Sequence, residues 1–311
     1  MFEEALALIE KYETIIIHRH SNPDGDAAGS QTGLYNIIKT NYPQKSVYMV
    51  GDDCGRYAII AGRTMDIVPD STFENALSII LDTSAKALIS DTRYEKAART
   101  LRIDHHLFVE KIADVEITDT SFESCAGLIT QMAMECNLRV SKEAACALFA
   151  GMVTDSGRFR FDSTSAGTFR RAGFLMDKKI DTNAIYSRLY TTTIEEMKLK
   201  AGFIEKIEFT QKNVAYFYVT KAELEKLGLS AHNAARGYVN TMADIKGVSI
   251  WAAFAEGDEG ILCELRSSGP DINAVAVKYG GGGHKKASGA TLKGRESVDA
   301  MLRDLDESAD K

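Results

Sequence analysis

The chain has little of what marks a secreted, membrane-embedded or nucleic-acid-coating protein. Its five cysteines (Cys54, Cys125, Cys136, Cys146 and Cys263) are an odd number with no CxxC pair. That argues against a disulfide framework and for small buried thiols in a reducing compartment. No stretch approaches the roughly 18 apolar residues that a membrane span requires. Met1 to Glu13 mixes acidic and apolar residues like an amphipathic helix, without the basic region and apolar core of a signal peptide. A cytoplasmic location and no membrane partner are therefore expected. Positive charge is in deficit, with 37 Lys and Arg against 44 Asp and Glu, a net charge of −7. This disfavours a broad basic face that would coat long duplex nucleic acid, but leaves room for a short anionic substrate. There are only four prolines, and no internal repeat or low-complexity tract interrupts the chain. At 311 residues it is too long for one ordinary core and fits two domains.

The first half alternates strand and helix. Residues 14–19, 45–50, 77–82 and 101–104 read as strands, 27–39 as a helix, and 122–136, 141–153, 164–177 and 181–190 as a later run of helices. The expected fold is α/β: a mostly parallel sheet with helices on both faces. Thr193 and Glu196 form a capping-box pattern that opens a helix, so the interdomain connection is placed at residues 191–204. Beyond it, 206–209 with 214–219 and 248–255 with 261–266 read as two strand pairs. Helices at 221–227, 231–241, 270–279 and 295–307 complete a smaller α+β domain.

What is abundant is metal-binding chemistry in four short blocks: His20-Ser21-Asn22-Pro23-Asp24-Gly25-Asp26, then Asp82, then Asp104-His105-His106, then Asp155. Each follows or ends an apolar run, which is how an open sheet aims ligands into the crevice beyond its strand ends. Pro23 and Gly25 allow the first block to fold back as a loop. Alone, the first block reads sooner as an Asx-turn in which Asp26 caps the helix at Ala27, and an isolated Asp82 is often only the N-cap of the next segment. Two adjacent imidazoles after a buried strand have little structural use, and Asp104 beside them can orient one ring. Asp155 ends an apolar helix, where a carboxylate opposes the macrodipole and calls for a positive partner.

Together the four blocks resemble the DHH family of phosphoesterases, named for the aspartate–histidine–histidine run. The resemblance implies two Mn²⁺ ions, one held by His20, Asp24 and Asp82 and the other by Asp26, Asp82, His105 and Asp155. Asp82 would bridge them, and a water between the ions would be the nucleophile. Asp82, His106 and Asp104 are the implied catalytic residues, with His106 facing the substrate phosphate. Oxygen and imidazole ligands without cysteine suit Mn²⁺.

Residues 280–289 read Gly-Gly-Gly-Gly-His-Lys-Lys-Ala-Ser-Gly, a run that can expose backbone N–H groups to an anion. Its spacing fits neither a Walker A loop nor a dinucleotide fingerprint. It resembles the GGGGHxxAsG motif of the DHH-associated C-terminal domain, and Arg266-Ser267-Ser268 resembles that domain's RS element. By that resemblance Arg266, Ser267, Gly281, Gly282, Gly283 and His284 grip the substrate, and Arg160 is a further candidate. The implied organisation is a metal-binding catalytic domain at 1–190, a helical linker at 191–204 and a substrate-binding domain at 205–311, with the cleft between the two domains. Within the family the layout is similar to the oligoribonuclease and 3′-phosphoadenosine-5′-phosphate (pAp) phosphatase group. Expected substrates are short RNA oligonucleotides (nanoRNA), pAp and linear di-nucleotides such as pApA, which would link the enzyme to c-di-AMP turnover. A homodimer is compatible with this layout. A family II inorganic pyrophosphatase, a RecJ-type exonuclease and a non-catalytic di-nucleotide sensor are the rival readings. His18, Arg102, Arg158, Tyr238, Asn240 and Trp251 are weaker candidates, with core roles favoured for His18, Tyr238 and Trp251.

Overall fold

A computed structural model describes residues 1–309, so the expected domain end at 311 lies outside the described residues. The chain divides into two compact units, the first Met1–Thr191 and the second beginning at Thr192. The first holds β1 (Thr14–His18), β2 (Ser46–Met49), β3 (Ala76–Leu81), β4 (Arg99–Asp104) and β5 (Val115–Thr118). Its helices are α1 (Glu3–Lys11), α2 (Gly25–Asn41), α3 (Ala58–Ala61), α4 (Cys125–Glu135), α5 (Lys142–Asp155), α6 (Ala166–Met176) and α7 (Thr182–Tyr190). The strands are all parallel, in the order β2-β1-β3-β4-β5. The chain leaves β1 toward β2 on one side and returns to β3 on the other. The ends of β1 and β3 therefore flank a topological switch point, where open α/β sheets place their ligands.

Side chains alternate across a strand, and the two faces of this sheet are covered differently. Ile15, Ile17, Leu77, Ile79, Leu81, Leu101 and Ile103 join the main core with residues of α1, α2, α4 and α5. Ile16 and Ala76 instead meet Val50, Val68 and Phe73, and Ile80 meets Ile89, Tyr94 and Ile112. These partners lie in irregular segments and short 3-10 turns, so the expected helices on both faces form on one face only. The connections from β2 to β4 lack the periodic apolar stripe that a covering helix needs. Strand β5 went unread in the sequence because its four residues are short and half polar.

Two helices are drawn together by glycine. On α2, a Cβ at Gly25 would lie 2.4 Å from Thr154 Oγ1, and one at Gly29 would lie 2.6 Å from the Ala147 carbonyl oxygen. The backbones of α2 and α5 are thus nearly in contact. This brings the start of α2, with Asp24 and Asp26, beside the end of α5, with Asp155.

The second unit comprises α8 (Ile194–Glu205), β6 (Glu208–Phe209), β7 (Ala215–Val219), α9 (Lys221–Leu227), α10 (Ala231–Tyr238), β8 (Ile250–Gly257), β9 (Gly260–Ser267), α11 (Asn273–Lys278), β10 (Gly282–His284), β11 (Ala287–Leu292) and α12 (Arg295–Ala309). Its sheet runs β10-β11-β9-β8-β7-β6 and is antiparallel except where β7 meets β8. The helix expected as a linker is α8, opened by the Thr193–Glu196 capping box. It is integral to the second unit: Phe203 is buried, stacked on Tyr238 at 4.0 Å between ring centres and edge-on to Phe217 at 5.2 Å. Among the described residues, no helix is long and apolar enough to cross a membrane.

Candidate metal centre

Three strand ends and two helix ends supply the side chains. His20 follows β1. Its Nδ1–H donates to the Ser21 carbonyl at 2.8 Å, which leaves the Nε2 lone pair for a ligand role. Arg19, fully buried, holds this loop by donating to the His20 carbonyl at 3.2 Å, Gln31 Oε1 at 2.9 Å and Asp52 Oδ1 at 2.9 Å. Asp24 caps α2, its Oδ1 accepting from the amides of Asp26 and Ala27 at 2.9 and 3.0 Å. Asp26 is itself buried, and its two oxygens accept from the amides of Cys125 and Ala126 at 2.6 and 2.9 Å, the first residues of α4. Helix N-termini favour negative charge, so α4 fixes this carboxylate in place.

Asp82 stands at the middle. It follows β3 with a left-handed backbone (φ 50°) and is 2% exposed. Strain of this kind in a non-glycine residue is held where function requires it. Its Oδ2 lies 3.6 Å from His20 Nε2, and its Oδ1 lies 3.5 Å from His105 Nε2. His105 Nε2 is also 3.8 Å from Asp26 Oδ2 and 3.4 Å from Asp155 Oδ2. His20 Nε2 is 3.9 Å from Asp24 Oδ1. The atoms therefore gather as His20, Asp24 and Asp82 on one side and Asp26, His105 and Asp155 on the other, with Asp82 reaching both.

His106 belongs to neither of these sets but groups with Asp82 and His105. The nitrogen it turns toward Asp82 at 3.6 Å is Nδ1, and that same Nδ1–H donates to Asp104 Oδ1 at 2.7 Å. Asp104 is fully buried and paired with Arg102. This is the orienting role that the sequence assigns to Asp104. Arg102 serves it from within the core and is no phosphate ligand.

The electrostatics are those of a site short of positive charge. Burial works against charged imidazoles, yet Asp24 and Asp82 around His20, and Asp82, Asp26 and Asp155 around His105, hold both pKa values at about 11. Burial also works against Asp82, but His105 and His20 outweigh it and keep that carboxyl well below its usual range. Asp26 is pushed well up by burial and by the charges of Asp82 and Asp155. Asp155 is pushed up to about 7 by burial, in spite of the opposing pull of His105.

Divalent metals fit this cluster on three counts. Asp82 Oδ1 is buried and accepts no hydrogen bond among the described residues. A buried carboxylate oxygen without a hydrogen bond costs free energy, which a coordinated cation offsets. The separations of 3.4–3.9 Å are long for hydrogen bonds. They match two ligands each about 2.1 Å from one ion, which stand roughly 3–4 Å apart. The donor set is oxygen and imidazole, which suits Mn²⁺, Mg²⁺ or Zn²⁺ better than thiophilic metals.

The glycine run differs from its sequence reading. It is mostly a hairpin, in which Gly282, Gly283 and His284 pair with Gly289, Ser288 and Ala287. A Cβ at Gly281 would lie 2.0 Å from the Gly289 carbonyl oxygen, so this glycine is required by backbone approach inside the fold. Gly282 meets nothing within 4 Å and is exposed, as is His284. Arg266 lies on β9 opposite Ala287 and donates to Glu264 Oε2 at 2.9 Å. Ser267 is buried and donates to the Pro270 carbonyl. Arg160 is exposed, five residues past Asp155. Arg158 lies over the Tyr190 ring at 4.8 Å, and His18 is buried against Ser78 Oγ at 3.1 Å. Trp251 is buried, and its Nε1 donates to Oδ1 of the exposed Asn240 at 3.4 Å.

The sequence reading missed three supports. Arg19 straps the His20 loop, and the glycines at four-residue spacing on α2 were the legible sign of its approach to α5. The third is Glu123, buried and accepting from Thr168 Oγ1 at 2.8 Å, which ties α6 to the start of α4. Only the fold brings those segments together.

Comparison with known proteins gives matching results along the whole chain. Residues 14–152 match the N-terminal domain of the DHH family, and residues 211–311 match the DHHA1 domain. The chain is 35% identical, over 98% of both chains, to the bifunctional oligoribonuclease and PAP phosphatase NrnA of Bacillus subtilis. It is equally 35% identical over 98% of both chains to a probable NrnA of Streptococcus mutans. Among solved structures, an exopolyphosphatase-related protein from Bacteroides fragilis superposes with a TM-score of 0.84 at 26% identity, covering 100% of this chain and 97% of that one.

Proposed function

The chain belongs to the DHH family, and from that membership and the geometry of its carboxylates we propose that it is a two-metal phosphoesterase. Its substrates on this reading are short oligoribonucleotides and pAp, the classes named in its curated relatives, together with linear di-nucleotides such as pApA. The observation that carries the reading is Asp82: a buried, strained carboxylate at the switch point, with one oxygen unsatisfied and an imidazole on either side.

His20, Asp24 and Asp82 would hold one Mn²⁺, and Asp26, Asp82, His105 and Asp155 the other. When bound, the two ions polarise the phosphate and allow water to ionise near neutral pH. The remaining steps fall to the chain. Asp104 keeps His106 in the tautomer with Nδ1 protonated, which commits Nε2 to the substrate phosphate or the leaving oxygen. His106 has a raised pKa because, although burial works against it, Asp104 and the charge of Asp82 favour the imidazolium. It can therefore donate a proton or neutralise phosphate charge. In the second unit, the exposed edge at Gly282 and the His284 imidazole would face an anionic group, with Arg266, Ser267, Gly281 and Gly283 holding the hairpin around them. Residues 1–190 would then be the catalytic domain and 205–311 the substrate-binding one.

The test is to incubate the purified protein with Mn²⁺ and a panel of RNA di- to pentamers, pApA, pAp and inorganic pyrophosphate. Release of mononucleotide from the first two and of phosphate from pAp is expected. Cleavage of pyrophosphate alone would move the chain to the pyrophosphatase reading, and no metal-dependent product at all would end the enzymatic one.

A further inference from the structure

Directly after the two histidines the chain shows an apolar tip. Leu107, Phe108 and Val109 are 63%, 66% and 63% exposed. Among the described residues, no other three consecutive large apolar side chains are exposed. Contiguous exposed apolar surface marks a contact site.

Both ends of the tip are pinned. His106 donates to Asp104 at 2.7 Å on one side. On the other, Glu110 Oε1 accepts from the Lys86 amide at 2.9 Å, and the Glu110 carbonyl accepts from Arg102 at 3.3 Å. Consecutive Cα atoms are 3.8 Å apart, so the Phe108 Cα stands within roughly 7.6 Å of that of His106. A segment anchored this way is positioned by the same Arg102–Asp104 pair that orients His106.

Resting on the phosphoesterase reading, we propose that this tip is the nucleobase platform of the site. Phe108 stacks on the base of the nucleotide whose phosphate His106 faces, and Leu107 and Val109 flank that base. The side chains of the tip carry no charge and no donor, so they have nothing to offer a phosphate. The base is the flat, weakly polar part of the same ligand, one sugar away, a reach comparable to two residues of chain. Stacking accepts any base, so this platform selects for nucleotides over other phosphoesters while tolerating their sequence.

The test compares a dinucleotide with an otherwise identical dimer of abasic sugars, using wild type, Phe108→Ala and Phe108→Trp. Phe108→Ala is expected to raise KM for the dinucleotide about tenfold, the scale of one lost base–aromatic stack. Its kcat should stay within twofold, its kinetics on the abasic dimer should be unchanged, and Phe108→Trp should restore the wild-type KM. Equal KM values for Phe108→Ala and wild type on the dinucleotide would overturn the platform alone, as would an equal loss on both substrates. A shift in oligomeric state of Phe108→Ala by light scattering, with both KM values unmoved, would overturn it in favour of a contact between copies. Wild type cleaving neither substrate would overturn the phosphoesterase reading itself.

Discussion

The two candidate binding regions are built on opposite principles. The metal centre draws its side chains from five segments spread from residue 20 to residue 155: Asp26 and Asp82 are buried, backbone amides hold Asp24 and Asp26, and His20 and His105 are each anchored through Nδ1 to a backbone carbonyl. The glycine hairpin takes its residues from one stretch, and its outer edge, Gly282 to His284, is exposed. Charge explains the contrast. Carboxylates that repel one another stay clustered only where the fold holds them rigidly and a cation compensates them. An anion-binding edge needs no such force, only backbone groups left uncovered.

The largest expected break in this comparison is Asp82→Asn. Losing the carboxylate shared by both ligand sets should lower kcat on a dinucleotide by at least roughly a thousandfold, the scale of removing a central electrostatic group. His284→Ala, by contrast, should raise KM with kcat within a few-fold. Steady-state kinetics on both variants check this, and a reversed pattern would show that the roles are exchanged.

Chelation separates the regions by stability. Metal at 100 times its dissociation constant adds about 2.7 kcal/mol to the state that binds it. EDTA should therefore lower the melting temperature of the first unit by roughly 5–10 °C in calorimetry and leave a transition of the second unit in place. An unshifted thermogram would mean that the carboxylates hold no ion.

Within the hairpin, two neighbouring glycines should behave differently. Gly281→Ala places a Cβ 2.0 Å from a carbonyl oxygen. It should destabilise the protein by about 2 kcal/mol or more in urea titration. Gly282→Ala meets open space and should change stability by less than about 0.5 kcal/mol, so any loss of substrate affinity there reports binding alone.

The smallest effect concerns pH. Glu223 closes the capping box of α9, and its pairing with Lys206, then the Thr220 amide, lower its pKa from 4.5 to about 2. A depressed carboxylate contributes stability that is present above its unfolded value and lost as pH falls through the folded one. Acid unfolding of Glu223→Gln should thus lack a small component between pH 4.5 and 2, which wild type shows, with the metal centre unaffected.

Much of this was legible beforehand. The strand ends carrying His20, Asp82 and His105 were marked by apolar runs that stop at a charged residue, a pattern local enough to read. The Thr193–Glu196 capping box was legible for the same reason, whereas α2 is capped by Asp24 and not by Asp26. The all-one-sided helix cover was not, because whether a turn or a helix roofs a sheet depends on partners far away in the chain. Nor was the hairpin at 282–292, since glycine has no side chain to show a period of two, and its pairing with β9 is a long-range event.

The amino-acid order by itself determined which groups are available: the candidate ligand atoms, their place at the ends of apolar elements, and a glycine-rich stretch. Only the tertiary structure decided that Asp82 faces both ligand sets, that Asp104 holds His106 through its Nδ1, and that Gly281 serves the hairpin's own backbone. The reason is physical. Chemistry resides in the side chain, but charge compensation and close approach are properties of distances, and distances across sixty or a hundred residues exist only once the chain has folded.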